Sequence, residues 1–403
     1  MTTGFALHSI SIYDRGTRID DALLVIRQGR IHYAGPRRER ELPADLPLID
    51  GHGWGVSPGL IDLQFNGAYG HDFTRDPSSL LAVARRLPET GVTAFLPTFI
   101  TSPIDSYIEK LNRVRIAQQA QSQRGETGAR ILGAHVEGPF LNPAKKGAHR
   151  QEWFIDPTLE ALEQLQPLEA VRLLTLAPER AHGLQAVRWL SERGVVVSIG
   201  HSAAGPQETC AAVEAGAALA THLYNAMRPM DHRDPGLVGA LLVNDTIRCG
   251  LIVDGVHVHP LMVRLAYRLL GPERIALVTD AMAAMGMPSG ESLIGDQTVY
   301  VDETSARLAD GTLAGSILRL DQAVRNMVAF SGCSPAQALQ MATSTPAAVL
   351  GLEGEMGRLA PGCPADLAIW DSSLHLQATF MDGRPVYTAP AVQPLFASLA
   401  SPV

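Results

Sequence analysis

Residues 57–70 read SPGLIDLQFNGAYG, and this stretch begins the pattern that decides the fold. The run from Gly59 to Leu63 is almost wholly apolar and predicts a short buried strand that leads into a loop. The strand ends in two amide side chains, Gln64 and Asn66. The rest of the chain must therefore show whether this polar strand end serves a functional site.

Seven further apolar runs of similar length follow, separated by amphipathic stretches such as PSSLLAVARRLPETG and AHGLQAVRWLSERG. With the first, the runs cover residues 59–66, 91–98, 130–138, 171–179, 194–202, 217–225, 248–257 and 274–282. Strands that alternate with helices are typical of βα units around a parallel sheet. Eight such units in about 290 residues predict a (β/α)8 barrel, the TIM-barrel architecture.

Both ends of the chain have a different pattern, with short alternating strands between turn residues. The N-terminal part includes FALHSISIYD, and the C-terminal part includes a hairpin turn at Asp382-Gly383. We expect the two ends to pair into a small β-sandwich domain. The predicted boundaries are 57–356 for the barrel, with 1–56 and 357–403 forming the small domain.

The composition excludes several classes of protein. The chain has 403 residues, is 46% hydrophobic and carries a formal net charge of −8, so no nucleic-acid surface or polybasic membrane patch is expected. No segment reads as a signal peptide or a membrane span. The four cysteines are far apart and form no C-x-x-C pair, which favours reduced thiols and a cytoplasmic location.

The most informative polar residues lie where predicted barrel strands end, which is where barrel enzymes place their active sites. Glu137, His201 and His222 follow strands three, five and six. One carboxylate and two imidazoles with an open position suit a catalytic zinc ion and also other divalent ions. Each histidine taken alone is more typical of a hydrogen-bonded core residue, and only their shared placement at strand ends favours a metal site.

Asp280, after strand eight, is a candidate general base and acid, although an aspartate there can equally cap a helix. A metal site across the barrel mouth favours the base. A His-x-His pair at strand one would add imidazoles for a second ion, but the chain has Gln64 and Asn66 there. None of its three lysines lies in strand four, which excludes a lysine-bridged pair of metals.

Six motifs together resemble those of N-acetylglucosamine-6-phosphate deacetylases, in the amidohydrolase superfamily, from about residue 50 to about residue 385. They are PGLIDLQFNG, HVEGPFLNPAKKGAH, IGHSAA, THLYNAM, DGVHV and LVTDAM, and they occur in the same order. The resemblance implies a barrel with a small domain from both termini. It also implies hydrolysis of the acetamide of N-acetylglucosamine 6-phosphate to glucosamine 6-phosphate and acetate.

Carried onto this chain, the resemblance makes Glu137, His201 and His222 the metal ligands and Asp280 the catalytic carboxylate. The matching substrate-binding positions are Ala148, His149, Asn225, Ala226, Arg233, His257, Leu313, Ala314 and Gly315. It further implies a homodimer whose interface binds the substrate phosphate, which places Arg233 in the neighbouring subunit's site. Family members with Gln-x-Asn at strand one use one metal, and this chain resembles those.

The resulting hypothesis is a one-metal amide hydrolase, with zinc favoured over iron, cobalt, manganese or cadmium. Asp280 takes a proton from the attacking water and gives it to the leaving amine, while His257 donates to the developing oxyanion. Gln64 is expected to hydrogen-bond the water or Glu137, and Asn66 to fix its loop. The alternatives are deacetylation of the galactosamine epimer, another amide hydrolysis, or a non-catalytic sugar-phosphate-binding protein.

Overall fold

The computed structural model describes residues 4–125 and 127–399. Its centre is a parallel barrel in which each strand pairs with the next along the chain, in the order predicted from the apolar runs. The eight barrel strands are Leu60–Phe65, Val92–Ile100, Ala134–Glu137, Val171–Leu176, Val196–Ile199, Ala217–Ala220, Arg248–Leu251 and Ile275–Leu277. A two-residue strand, Arg130–Ile131, also pairs with strand two. The predicted barrel is therefore confirmed.

The barrel closes between strands eight and one. A single bridge joins Phe65 to Ala281, and the amide of Asp280 donates to the carbonyl of Gln64 over 2.9 Å. Because this seam joins the last residues of strand one to the residues just after strand eight, it brings Asp280 beside Gln64 and Asn66. The candidate base and the two amides thus meet through the closure of the barrel itself.

Helices cover the outside of the barrel and bury their apolar faces against it. Residues of both layers share one large core that includes Phe65, Phe95, Leu174 and Leu241, all at most 1% exposed. These helices are Leu80–Arg86, Tyr107–Arg124, Leu159–Leu162, Gly183–Ser191, Pro206–Glu214, Gly236–Val243, Pro260–Leu270, Leu320–Ser331, Pro335–Gln340 and Ser344–Val349. A further short helix, Gln393–Phe396, packs instead against the strands from the chain ends. Among the described residues, no helix is long and apolar enough to cross a membrane.

Both chain ends contribute to one eight-stranded sheet, which is the small β domain expected from the sequence. Its strands are Gly4–Asp14, Thr17–Arg27, Arg30–Pro36, Leu48–Asp50, Gly55–Pro58, Leu367–Trp370, Leu376–Met381 and Arg384–Thr388. The last two form the hairpin predicted around Asp382-Gly383. Arg130 ties this sheet to the barrel through ion pairs with Asp366 at 3.0 Å and Asp382 at 2.7 Å.

A small three-stranded sheet after barrel strand eight was not predicted. It consists of Gly290–Ile294, Gln297–Val301 and Ala306–Arg307, and its first two strands form an antiparallel hairpin with the two-residue loop Gly295-Asp296. Alternation in SLIGDQTVYV is the signal that could have found it, since a glycine-containing two-residue loop between alternating runs is typical of a hairpin. We call residues 290–315 the roof hairpin.

Asp62, in barrel strand one, is a buried carboxyl beneath the strand end. Its oxygens accept hydrogen bonds from the Thr279 hydroxyl at 2.6 Å, the Gln64 amide at 3.2 Å and the Thr279 amide at 3.3 Å. Burial raises the pKa of Asp62 to about 7, against an ordinary value of 3.8, because these bonds only partly replace lost hydration. The folded state therefore prefers the protonated carboxyl.

This preference predicts a pH-dependent stability. Since the folded pKa of Asp62 lies above the unfolded one, its contribution is fully present below about pH 4 and is lost as the pH rises through about 7. Asp62→Asn keeps a neutral group of the same shape. Between pH 5 and 8 the wild type should lose roughly 2–4 kcal/mol of unfolding free energy relative to this variant, measured by urea unfolding.

Asp245→Asn is the matched control, because Asp245 is exposed and the substitution removes the same charge from the surface. Its unfolding free energy should follow that of the wild type across the pH range. If Asp62→Asn also follows the wild type, Asp62 is already ionised in the folded protein.

Candidate active site

Three predicted site residues share an uncommon backbone conformation just beyond their barrel strands. His201, His222 and Asp280 have φ angles of +50°, +30° and +50°, in the left-handed region that side-chain-bearing residues rarely adopt. Such strain persists only where surrounding contacts hold it, and it is concentrated at functional sites. For Asp280 these contacts include the Ser316 amide, which donates to its carbonyl over 2.8 Å. The turns point the three side chains inward over the barrel.

The inward turns bring three ligand atoms together. His222 Nε2 lies 3.1 Å from Glu137 Oε1 and 3.2 Å from His201 Nε2, and His201 Nε2 lies 3.5 Å from the same carboxylate oxygen. All three side chains are buried. Burial by itself raises the pKa of Glu137, but the two imidazoles hold that pKa well below its usual range. The carboxylate is therefore ionised in this site.

The donor set fits a divalent cation. His201 Nδ1 lies 2.8 Å from the carbonyl oxygen of Lys145, which can only accept, so Nδ1 carries the proton and Nε2 presents its lone pair. A buried carboxylate with two nitrogen ligands is the donor set of catalytic zinc sites that keep an open position. Glu137, His201 and His222 are the one group among the described residues that meets this geometry.

His149 lies against the cluster without belonging to it. Its ring stacks edge-on with that of His201 at a centroid distance of 4.4 Å, and its Nε2 is 4.0 Å from Glu137 Oε2. Its Nδ1 accepts from the Thr101 amide at 3.3 Å. Burial, followed by the neighbouring imidazole of His201, lowers the pKa of His149 to about 3. His149 is therefore a neutral donor through Nε2.

The two strand-one amides donate to the carboxylates of the site. Gln64 Nε2 lies 3.0 Å from Glu137 Oε1 and 3.1 Å from Asp280 Oδ1, and Asn66 Nδ2 lies 2.7 Å from the same oxygen of Asp280. An amide –NH2 group has no lone pair for a metal, so neither of these two nitrogens is a metal ligand. Asn66 Oδ1 is buried without a partner and remains open to a donor.

Asp280 thus has one engaged oxygen and one free oxygen. Oδ1 accepts both amides, whereas Oδ2 has no hydrogen-bond partner among the described residues. Burial, followed by the negative charge of Glu137, raises the pKa of Asp280 to about 6. A carboxylate near its pKa at neutral pH can both accept and release a proton, as a general base and acid must.

His257 is held by a carboxylate from its own loop. Its Nδ1 lies 2.6 Å from Asp254 Oδ2, while Asp254 Oδ1 accepts the amides of Val256 and His257, both at 2.8 Å. His257 Nδ1 therefore carries a proton, which leaves Nε2 as the edge available to a ligand. No role for Asp254 was predicted from the sequence, although its spacing of three residues from His257 was a visible signal.

These groups surround a cavity of about 460 Å³ at the barrel mouth. The predicted site residues that line it are Asn66, Glu137, Ala148, His149, His201, His222, Asn225, Ala226, His257, Asp280, Leu313 and Gly315. Gln64 lies just behind its wall, bonded to Glu137. Ala314 is fully buried in the core of the roof hairpin, and Arg233 is exposed; neither lines the cavity of this chain.

The roof hairpin encloses this cavity, and the sequence did not predict it. Ile294 and Thr312 of the hairpin line it, opposite the loop of residues 142–150 after strand three. The hairpin tip is fixed to that loop by Arg150, whose guanidinium contacts Asp296 at 2.9 and 2.7 Å. Contacts between segments this far apart in sequence have no local signal, and only the fold reveals them.

A model of the amidohydrolase family matches residues 56–394, which include the whole barrel. The chain belongs to the amidohydrolase family. Within it, the chain belongs with the N-acetylglucosamine-6-phosphate deacetylases. It is 42% identical to the human enzyme of that name over 353 residues, covering 84% of this chain and 85% of the human protein.

Two further relatives bear on the site. The N-acetylgalactosamine-6-phosphate deacetylase of Escherichia coli O157:H7 is 42% identical over 369 residues, which cover 91% of this chain and 95% of that protein. A variant of N-acetyl-D-glucosamine-6-phosphate deacetylase from Mycobacterium smegmatis, solved with N-acetyl-D-glucosamine-6-phosphate, superposes with a TM-score of 0.87 at 32% identity. That match covers 96% of this chain and 100% of the other.

The side-chain amides of Gln64 and Asn66, in place of imidazoles, predict how many metal ions each chain binds. Purified wild-type protein should contain about one divalent ion per chain, because one set of three ligands is present. Gln64→His combined with Asn66→His replaces donors by imidazoles and should raise the stoichiometry toward about two, measured by elemental analysis after dialysis. An unchanged value in the double variant would show that something other than the strand-one amides prevents a second site.

Proposed function

We propose that this protein hydrolyses the acetamide of N-acetyl-D-glucosamine 6-phosphate to D-glucosamine 6-phosphate and acetate. The observation that carries the proposal is the seam between barrel strands eight and one, which places Asp280 beside the buried ligands of a divalent ion. The deacetylases among the relatives support the substrate. A non-catalytic sugar-phosphate-binding protein would not require a free carboxylate oxygen beside a metal site.

Glu137, His201 and His222 would hold one divalent metal ion, which we propose to be zinc. When bound, the ion supplies Lewis-acid polarisation of the acetamide carbonyl and lowers the pKa of a water molecule. The support for zinc is the mixed nitrogen and oxygen donor set, although iron, cobalt, manganese and cadmium accept the same ligands. Residues of the chain carry out the proton transfers and orient the substrate.

Asp280 moves the proton. Oδ1 is held by the amides of Gln64 and Asn66, so Oδ2 takes the proton from the attacking water and then delivers it to the departing amine. The same amides fix the plane of the carboxylate, which keeps Oδ2 aimed at the reacting atoms. Gln64 also spans the two carboxylates, since it donates to Glu137 and to Asp280 from one nitrogen.

Two histidines orient the substrate from other sides of the cavity. His257 donates from Nε2 to the carbonyl oxygen as negative charge develops there, a contribution comparable to oxyanion donors that are worth about 3 kcal/mol. Because Nδ1 is already bonded to Asp254, the ring must be doubly protonated when it does so. His149 donates its Nε2–H to a polar group of the sugar.

We further propose a homodimer in which the substrate phosphate is bound by the partner's Arg233. Arg233 of this chain is exposed and does not line its own cavity, and Met230, three residues away, exposes 48% of its surface. An arginine that projects away from its own site can complete a symmetry-related one. Within the cavity Asn225, Ala226, Ala148, Leu313 and Gly315 would then contact the sugar.

The proposed compartment is the cytoplasm. The support is that all four cysteines are free, and Cys249, Cys333 and Cys363 are buried. Buried reduced thiols are typical of proteins that fold in a reducing compartment.

The galactosamine epimer is the second candidate substrate, because a relative that acts on it is 42% identical over 91% of this chain. Acetate release should be measured with the two 6-phosphates at equal concentration, with the metal content determined in the same sample. We expect the glucosamine substrate to have the higher kcat/KM. A preference for the galactosamine epimer would favour the second candidate, and no acetate from either would contradict both.

Asp280→Asn tests the proton-transfer role. Asparagine can keep one oxygen toward the strand-one amides, so metal content and sugar-phosphate binding should be retained. Turnover should fall by about 10²–10⁴-fold, the range for loss of a general acid–base group. Steady-state acetate release and calorimetric binding measure the two properties, and turnover close to wild type would show that Asp280 is not the base.

Mixing two inactive variants tests the shared site. Arg233→Ala and Asp280→Asn subunits, exchanged in equal amounts, should form heterodimers with one intact site each. About a quarter of wild-type activity is expected, since half of the dimers are mixed and each has one of two sites working.

The matched control mixes Asp280→Asn with a subunit that carries both substitutions. No site in that mixture has both groups, so its activity should remain at the background level. Equal activity in the two mixtures would contradict a site shared between subunits.

A further inference from the structure

Glu179, which follows barrel strand four, is a carboxylate that the proposed reaction does not use. Three donors from two other segments converge on it. Oε1 accepts from the Ala203 amide at 2.6 Å and from Asn142 Nδ2 at 2.8 Å, and Oε2 accepts from the Ser202 hydroxyl at 2.7 Å. Ser202 and Ala203 directly follow His201, and Asn142 begins the loop after strand three.

Both of these segments hold His201. The Asn142 amide donates to the carbonyl of His201 over 2.9 Å, and the side chain of Asn142 accepts the Ala144 amide at 2.9 Å. That bond caps a short 3-10 turn whose last residue, Lys145, accepts the proton of His201 Nδ1 at 2.8 Å. One loop therefore contacts the backbone and the imidazole of His201, and Glu179 fixes that loop to the residues after His201.

These contacts stabilise a strained backbone conformation at His201. A non-glycine residue in the left-handed region costs about 1–3 kcal/mol and persists only where neighbouring contacts fix it. His201 has a φ angle of +50°, and the following residues are held by the carboxylate of Glu179 and by a bond from the Ser202 amide to the Ala226 carbonyl at 3.1 Å. Without Glu179 the chain after His201 loses two of these restraints.

We propose that Glu179 is a positioning residue that sets the backbone turn and the ring orientation of His201, and thereby the affinity of the site for its divalent ion. It does so through three accepted hydrogen bonds, and its charge is not required. This inference rests on the proposed metal site but assigns a residue that contacts neither metal nor substrate. Groups that orient metal ligands in this way typically contribute 10–100-fold to metal affinity.

The test measures Co²⁺ binding to the purified full-length protein by competition with a chelator, together with the visible absorption spectrum of the bound Co²⁺. Glu179→Ala removes both acceptor oxygens, and with them all three hydrogen bonds, and should weaken Co²⁺ binding by about 10–100-fold and change the spectrum. Glu179→Gln should stay within a few-fold of wild type. Its carbonyl can accept from Ala203 and Asn142, and the Ser202 hydroxyl can turn to accept from its –NH2 group.

Glu208→Ala is the matched control. Glu208 also accepts a backbone amide in this region, from Gly205 at 2.6 Å, but it contacts neither His201 nor the loop that begins at Asn142. Its loss should lower the melting temperature without changing Co²⁺ affinity.

The outcomes separate this inference from the proposed function. Wild-type affinity in Glu179→Ala, equal weakening in Glu208→Ala, or a Glu179→Gln variant as weak as the alanine variant would each overturn the role of Glu179. A wild-type protein that binds no Co²⁺ would overturn the metal site itself. A wild type that binds Co²⁺ but releases no acetate would overturn the proposed reaction and leave the role of Glu179 standing.

Discussion

A carboxylate that is buried between two imidazoles is the constraint on which the site depends. Glu137 Oε1 lies within 3.5 Å of His201 Nε2 and His222 Nε2, and all three side chains are buried at the mouth of the barrel. Burying a charge is unfavourable unless a partner of opposite charge compensates it. A shared divalent ion, as proposed above, would provide that compensation and would account for two imidazole nitrogens only 3.2 Å apart.

The closing seam of the barrel supplies the second requirement of the proposed reaction, a carboxylate with one free oxygen that we propose as the base. The backbone hydrogen bond from the Asp280 amide to the Gln64 carbonyl joins strands eight and one, and the side chains of Gln64 and Asn66 then donate to Asp280 Oδ1. In the function proposed above, the two strand-one amides stand where imidazoles for a second ion would be needed, and their hydrogen bonds orient Asp280, the proposed base.

Much of this architecture could be predicted from local patterns. The apolar runs gave the eight strands, and because the carboxyl ends of parallel strands meet on one side, Glu137, His201 and His222 could be expected to meet. Gln64 was expected to contact the water or Glu137, and in the structure it donates to Glu137. Its second bond, to Asp280, depends on the closure of the barrel and has no signal near residue 64.

Three other features could not be predicted from the sequence, because they depend on contacts between distant segments or on the conformation of the folded chain. The roof hairpin follows strand eight where a helix was expected, and its ion pair between Arg150 and Asp296 joins residues 146 positions apart. The three-residue substrate segment at 313–315 was treated as a unit, but Ala314 is buried in the hairpin core, whereas Leu313 and Gly315 line the cavity. Arg233 cannot be placed by one chain alone, since its proposed site belongs to a neighbouring subunit.

Whether Glu137, His201 and His222 hold a single metal ion can be tested by anomalous X-ray diffraction at the zinc edge, from crystals of the wild-type protein grown with Zn²⁺. We expect one strong anomalous peak per chain, bounded by Glu137, His201 and His222, with none between Gln64 and Asn66. A second peak of similar height at the strand-one amides, or no peak beside Glu137, would contradict it.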